Sequence, residues 1–172
     1  MTPTPAATKV ALVTTLAVTL ASLAAFFAWA DSPIDPEYAA SFLWIYWVLF
    51  GLRVAGQLIA RNSEPSWLPP SAQWNLTPYR LLLPAQVVIL ALMAWIYFSF
   101  WSERGPPETP RPGFGWLVLG FAAVYAAAMA IRYAVRMQRR PEQRWFGGTI
   151  PIVFHWVLAA FLVVYGAYHV SY

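Results

Sequence analysis

Residues 114–170 read FGWLVLGFAAVYAAAMAIRYAVRMQRRPEQRWFGGTIPIVFHWVLAAFLVVYGAYHV, and this stretch decides the fold. An apolar run from Phe114 to Ile131 ends in Arg132, Arg136, Arg139 and Arg140, and Pro141 stops it. After Gly147-Gly148 a second apolar run extends from Ile150 to Val170. A helix of roughly 20 residues crosses about 30 Å of hydrocarbon, so each run is long enough to span a bilayer. The pair therefore reads as a helical hairpin in a membrane, with its guanidinium groups gathered at the turn.

Working outward from the hairpin, three more runs of that length precede it. Helices are expected over 10–30, 41–60, 79–101, 114–136 and 150–170. A Pro/Trp-rich loop at 62–78 and a Pro-rich loop at 102–113 join them. The spans occupy most of the 172 residues, which leaves no room for a second domain. With 60% hydrophobic and only 10% charged residues, the chain falls far below the roughly 25% charge of soluble domains. The expected fold is an all-α integral membrane protein, a single small bundle of five transmembrane helices.

Lys and Arg are retained on the cytoplasmic side of membrane helices. Alternating the spans puts Lys9, Arg53, Arg61, Arg80, Arg132, Arg136, Arg139, Arg140 and Arg144 on one side, against Arg104 and Arg111 on the other. The N-terminus is thus expected inside and the C-terminus outside, in the cell membrane. The net charge of +4 is a topology signal and implies no nucleic-acid partner, since no basic soluble module carries it. Ala28-Trp29-Ala30 fits a small-x-small signal-peptidase site, but the apolar run before it is longer than a signal peptide needs, and Lys9 is its only early charge. The first helix is expected to be retained.

Ten tryptophans are present. Trp29, Trp44, Trp47, Trp101 and Trp116 fall at outer helix ends, and Trp67, Trp74 and Trp145 in or beside inner loops, as interfacial belts require. Trp95 and Trp156 lie deeper and are expected to pack in the core, with a pocket wall as the alternative. Ser66-Trp67-Leu68-Pro69-Pro70 is similar over a few residues to the Trp-Pro-Pro loop of the tryptophan-rich sensory proteins, a family with porphyrin-binding members. Here the motif follows the second helix instead of the first, and the expected orientation is inverted, so no membership follows. Two alanine rows, Ala17, Ala21 and Ala25, and Ala122, Ala126, Ala130 and Ala134, are expected to be packing faces. Thr77-Pro78 is read as the cap and first position of the third helix, which Pro84 should kink.

Polar residues at membrane depth are costly and are functional candidates by default. Arg53 and Gln57, four apart, put a polar face inside the second helix. It either snorkels to the interface or anchors an anionic headgroup within the bundle. Arg132, Arg136 and Arg140 recur every fourth residue and lead to Gly147, Gly148 and Thr149, read as a flexible turn and an N-cap. A helix start with glycines and guanidinium groups beside it suits a phosphate. His155 and His169 share one face of the fifth helix, about 40° and about 21 Å apart. That spacing resembles the histidine pair of di-haem helices, although no second helix supplies matching histidines. No cofactor and no metal site is predicted: His155 is expected to be a hydrogen-bonded structural residue and His169 an interfacial one, with a haem or chlorin held by one axial ligand, at His155 above all, as the alternative.

The chain has no cysteine, which excludes disulfides, thiolate metal sites and cysteine nucleophiles. No paired-acid motif, serine elbow, HExxH or histidine box occurs, and no acid lies within a span, so no catalytic residue is assigned. Three readings follow. The first is a non-catalytic membrane subunit or assembly factor, packing with other membrane proteins or with itself. The second is a binding protein for an anionic lipid, isoprenoid or tetrapyrrole. The third is an enzyme acting on a lipid or isoprenoid, with His155 as acid or base beside Arg53.

Overall fold

The computed structural model describes residues 6–63, 65–68, 79–101, 109–139, 146 and 148–172. Five helices account for almost all of them: α1 (Ala6–Trp29), α2 (Pro36–Asn62), α3 (Tyr79–Ser99), α4 (Pro112–Arg139) and α5 (Ile150–Val170). All five are long and apolar enough to cross a membrane. The described residues contain no strand, and the all-α multi-pass membrane fold stands. Thr77-Pro78, Arg140, Arg144, Gly147 and most of the two proline-rich loops lie outside the described residues.

Helix boundaries follow local chemistry more than hydropathy. α2 begins at Pro36, five residues before its apolar run, because Asp35 caps it: the Tyr38 N–H donates to the Asp35 carboxylate at 3.0 Å, with Pro36 in the first turn and Glu37 behind it. α4 starts at Pro112 for the same proline reason and runs on to Arg139. At 28 residues it measures about 42 Å, so its arginine end projects beyond about 30 Å of hydrocarbon.

The centre of the bundle is α5, which packs against α4, α2 and α1, while α3 packs chiefly against α2. Helices in lipid gain little from hiding apolar surface, so close packing and interhelical hydrogen bonds must hold them. α4 and α5 meet at two glycines. A Cβ at Gly115 would come within 2.7 Å of Val170 and 2.8 Å of the Gly166 carbonyl, and one at Gly166 within 2.9 Å of Leu119. Farther along, Trp156 Nε1 donates to the Ala126 carbonyl at 3.2 Å. Trp47 Nε1 likewise donates to the Leu90 carbonyl at 3.2 Å, tying α2 to α3, and its ring stacks on Tyr97. Trp47 is therefore a strut between helices as well as a ring near one end.

α1 packs through a different face from the one its alanines suggest. The buried residues are Thr8, Leu12, Thr15, Thr19, Ser22 and Phe26, a heptad-like seam, whereas Ala17 and Ala21 are exposed. Ser22 Oγ donates to Tyr46 Oη at 2.9 Å across the seam, and Tyr38 Oη donates to the Phe26 carbonyl at 2.9 Å, satisfying an end carbonyl of α1. On α4 only the first alanine, Ala122, is fully buried, and Ala130 and Ala134 face outward. Trp95 also faces outward, 61% exposed.

The alternation of five helices gathers Lys9, Arg61, Arg132, Arg136 and Arg139 at one end of the bundle, here termed the basic end. There Lys9 lies 5.6 Å from the Phe146 ring, and Leu12, Ala60, Ile150 and Val153 form a small core. At the other end Ser171 Oγ accepts from the Ile34 N–H at 3.0 Å, strapping the α1–α2 link to the end of α5.

Candidate functional site

Arg53 stands nine residues from the basic end of α2, about 13 Å along the axis, and is only 5% exposed. Its helix position makes it face the bundle interior, against α5. One terminal nitrogen donates to Gln57 Oε1 at a long 3.4 Å, and Nε has no partner. The guanidinium carbon lies 5.9 Å from the Phe50 ring and 5.8 Å from the Phe154 ring. The described acids, Asp31, Asp35 and Glu37, all sit at the opposite end, so no described carboxylate neutralises it.

Magnitudes decide what this arrangement needs. An arginine at the centre of a membrane helix costs about 2.5–3.5 kcal/mol by insertion measurements. Two cation–π contacts, at 5.9 and 5.8 Å near the outer limit of such contacts, return about 0.5–2 kcal/mol each. An unpartnered buried donor adds about 1–3 kcal/mol to the cost. The guanidinium is thus under-compensated by the described residues, and a bound anion would supply what is missing.

Beside it is a partly open cavity of about 100 Å³. α2 and α5 form its floor through Phe50, Arg53, Phe154 and His155, and α3 and α4 its walls through Ala85, Gln86 and Tyr125. No substantial contact joins α3 to α4, and Ala85 on the rim is exposed, so the cavity opens sideways toward lipid. Gln86 is 4% exposed, and its Oε1 accepts no hydrogen bond. Gln57, fully buried behind Arg53, holds the guanidinium through Oε1 while its Nε2 has no acceptor.

His155 and Arg53 line this one cavity. His155 Nδ1–H donates to the Pro151 carbonyl one turn back, so Nε2 is the unprotonated nitrogen, and the Tyr125 ring lies 5.6 Å away. His169 is at the far end of α5. The Arg111 N–H donates to its Nδ1 at 3.3 Å, which puts its proton on Nε2 and removes that nitrogen as a metal ligand; Phe114, Tyr165 and Tyr168 enclose the ring. The two histidines share no site. For a tetrapyrrole, His155 has a nitrogen in the right state, but the space beside it is below the 300–1,000 Å³ usual for pockets holding drug-sized ligands.

Arg136, Gly148 and Thr149 come together at the start of α5. Gly148 has φ +62°, a left-handed conformation that suits glycine, and the Arg136 guanidinium lies where a Cβ there would be. Thr149 occupies the N-cap position with helical backbone, and its hydroxyl makes no cap bond. Ile150, Pro151, Ile152 and Val153 are buried around it. At the described start of α5 the Arg136 guanidinium and buried apolar side chains thus flank Gly148 and Thr149. Arg132 is exposed, seven residues from Tyr125 on the same face of α4, about 10 Å nearer the basic end.

Gln86 and Tyr125 are the polar members of the cavity that sequence reasoning did not single out. Gln86 is the one amide between Leu82 and Tyr97, a weaker signal than the charge that marked Arg53. No protein family, curated protein or solved structure matches this chain.

Proposed function

We propose that the protein is a membrane-embedded binding protein for an anionic amphipath, such as a lipid or isoprenoid whose head enters between α3 and α4 while its chain stays in the bilayer. One observation carries this reading. Arg53 is buried in the bundle without a described carboxylate partner, on the wall of a cavity open to lipid. Arg132, on the same face of α4 as Tyr125, adds positive charge on the path from the basic end. His155 beside Arg53 keeps a proton-transfer role within reach of the same head, but no nucleophile or second acid–base group stands with it.

Native mass spectrometry of the protein taken from vesicles of phosphatidylglycerol and phosphatidylcholine tests the reading. Wild type is expected to retain phosphatidylglycerol in clear excess, Arg53→Gln to lose that excess at least tenfold, and Arg139→Gln, at the exposed end of α4, to keep it. Equal retention by wild type and Arg53→Gln would overturn the proposal. The alternative role, a structural subunit packing with partner membrane proteins, is favoured by the outward Ala17 and Ala21 row, which permits close approach of another helix. Native mass spectra of the protein released directly from its own membrane separate it, because a subunit leaves with protein partners bound and not as a lipid-loaded monomer.

A further inference from the structure

His155 lines the same cavity as Arg53, and its ring is held in one state. Nδ1–H donates to the Pro151 carbonyl, which leaves Nε2 with a lone pair and no proton. Nε2 has no hydrogen-bond partner among the described residues, and unlike Arg53 Nε it is not sealed off, since the half-buried ring forms part of the cavity wall. It is therefore a base that can take a proton without turning its ring.

The charges around this base are of one sign. α2 brings Arg53 and α4 brings Arg132, and both act on the ring electrostatically. α4 also brings Tyr125, its ring 5.6 Å from that of His155; α3 lines the cavity with the neutral Gln86, and α1 lines none of it. The described carboxylates, all at the opposite end of the bundle, do not offset the two arginines. A proton on Nε2 in the empty cavity sets a second cation beside Arg53, and like charges repel strongly where water is scarce. An anion on Arg53 reverses that balance, because it attracts an imidazolium as well as a guanidinium. Anion and proton each strengthen the binding of the other.

Resting on the binding reading above, we infer that the cavity loads an anion together with one proton, the anionic oxygen going to Arg53 and the proton to His155 Nε2, whose new N–H donates to the same head. The proton comes from water or from the ligand's own acid form, whose O–H bond breaks as the N–H forms; both routes reach the same loaded state. The cavity carries one positive charge when empty, from Arg53, and one when loaded, from two cations and one anion. Loading therefore adds no net charge at membrane depth, where an uncompensated one is costly.

Detergent-solubilised full-length protein is titrated by isothermal calorimetry with methyl dodecyl phosphate, a diester that keeps one negative charge across the range in which histidine titrates, so any pH dependence belongs to the protein. Repeating the titration in two buffers of different ionisation heat counts the protons taken up. Wild type is expected to take up about one proton per probe at the maximum and to bind about tenfold more tightly near pH 5 than near pH 8, since a site that gains a proton on binding is favoured as pH falls. His155→Gln keeps an amide donor and removes the base. It should bind near pH 8 about as wild type does, with no proton uptake and no gain on acidification. Wild-type binding without proton uptake, or uptake by His155→Gln equal to that of wild type, overturns the inference while the anion site stands. The wild-type count needs no variant, so it decides the matter even if His155→Gln does not fold. If wild type binds the probe no better than Arg53→Gln at any pH, the underlying reading fails as well.

Discussion

Arg53 shows how a residue can be retained against its own energetics. Its guanidinium has two aromatic faces and one long hydrogen bond, set against the cost of a charge at membrane depth. In ligand-free detergent, Arg53→Met should therefore raise the thermal midpoint. Removing about 1–2 kcal/mol of net cost corresponds to a gain of several degrees in a chain of this size, read by differential scanning fluorimetry. A fall would mean that the stem and its contacts with Phe50 and Phe154 outweigh the charge, and that no anion is needed to explain it. Gly115 gives the opposite case, a residue whose whole value is its missing side chain. Gly115→Ala forces its Cβ against the Gly166 carbonyl and should cost about 1–3 kcal/mol, whereas Gly120→Ala, with nothing within 4 Å, should be neutral or mildly stabilising. Equal midpoints for the two alanine variants would show that α4 and α5 do not meet as described.

At the scale of helices, the apolar runs were legible because length and hydropathy are set by the bilayer itself, and α5 keeps the expected bounds of Ile150 and Val170. The start of α2 was hidden because Asp35 and Glu37 read as loop residues, although Asp-Pro-Glu is also a helix start. Which face of α1 packs was hidden for a subtler reason. In an apolar helix, alanine offers close approach on any side, so its spacing says nothing about direction; on α1 it is Thr8, Thr15, Thr19 and Ser22 that turn inward, with Ser22 reaching Tyr46. Leucine substitutions separate the two faces. Thr19→Leu, at a buried position, should lower the thermal midpoint by several degrees through overpacking, while Ala17→Leu and Ala21→Leu, facing outward, should leave it within about 1 °C. The reverse pattern would restore the alanine row as the internal face. Gln86 escaped notice for a related reason: one amide in a long apolar run changes no average, and only the packing of α3 brings it to the same cavity as Arg53.

For the molecule as a whole, sidedness decides which leaflet can feed the cavity. The basic end gathers Lys9, Arg61 and the arginines of α4, and Arg53, Gln86 and His155 all lie within about 7–14 Å of it along their helices. If the cation-rich end faces the cytoplasm, as retention of Lys and Arg there requires, the cavity opens to the inner leaflet, and the ligand proposed for it would come from lipids made on that side. A chain with no cysteine makes the point directly measurable, since any introduced thiol is the only one. Tyr172→Cys, exposed at the end of α5, should react with a membrane-impermeant maleimide in intact cells. Arg139→Cys, exposed at the end of α4, should react only after the membrane is opened. The inverted pattern would place the same cavity in the outer leaflet, and its ligand would then have to be sought among lipids delivered to the outside.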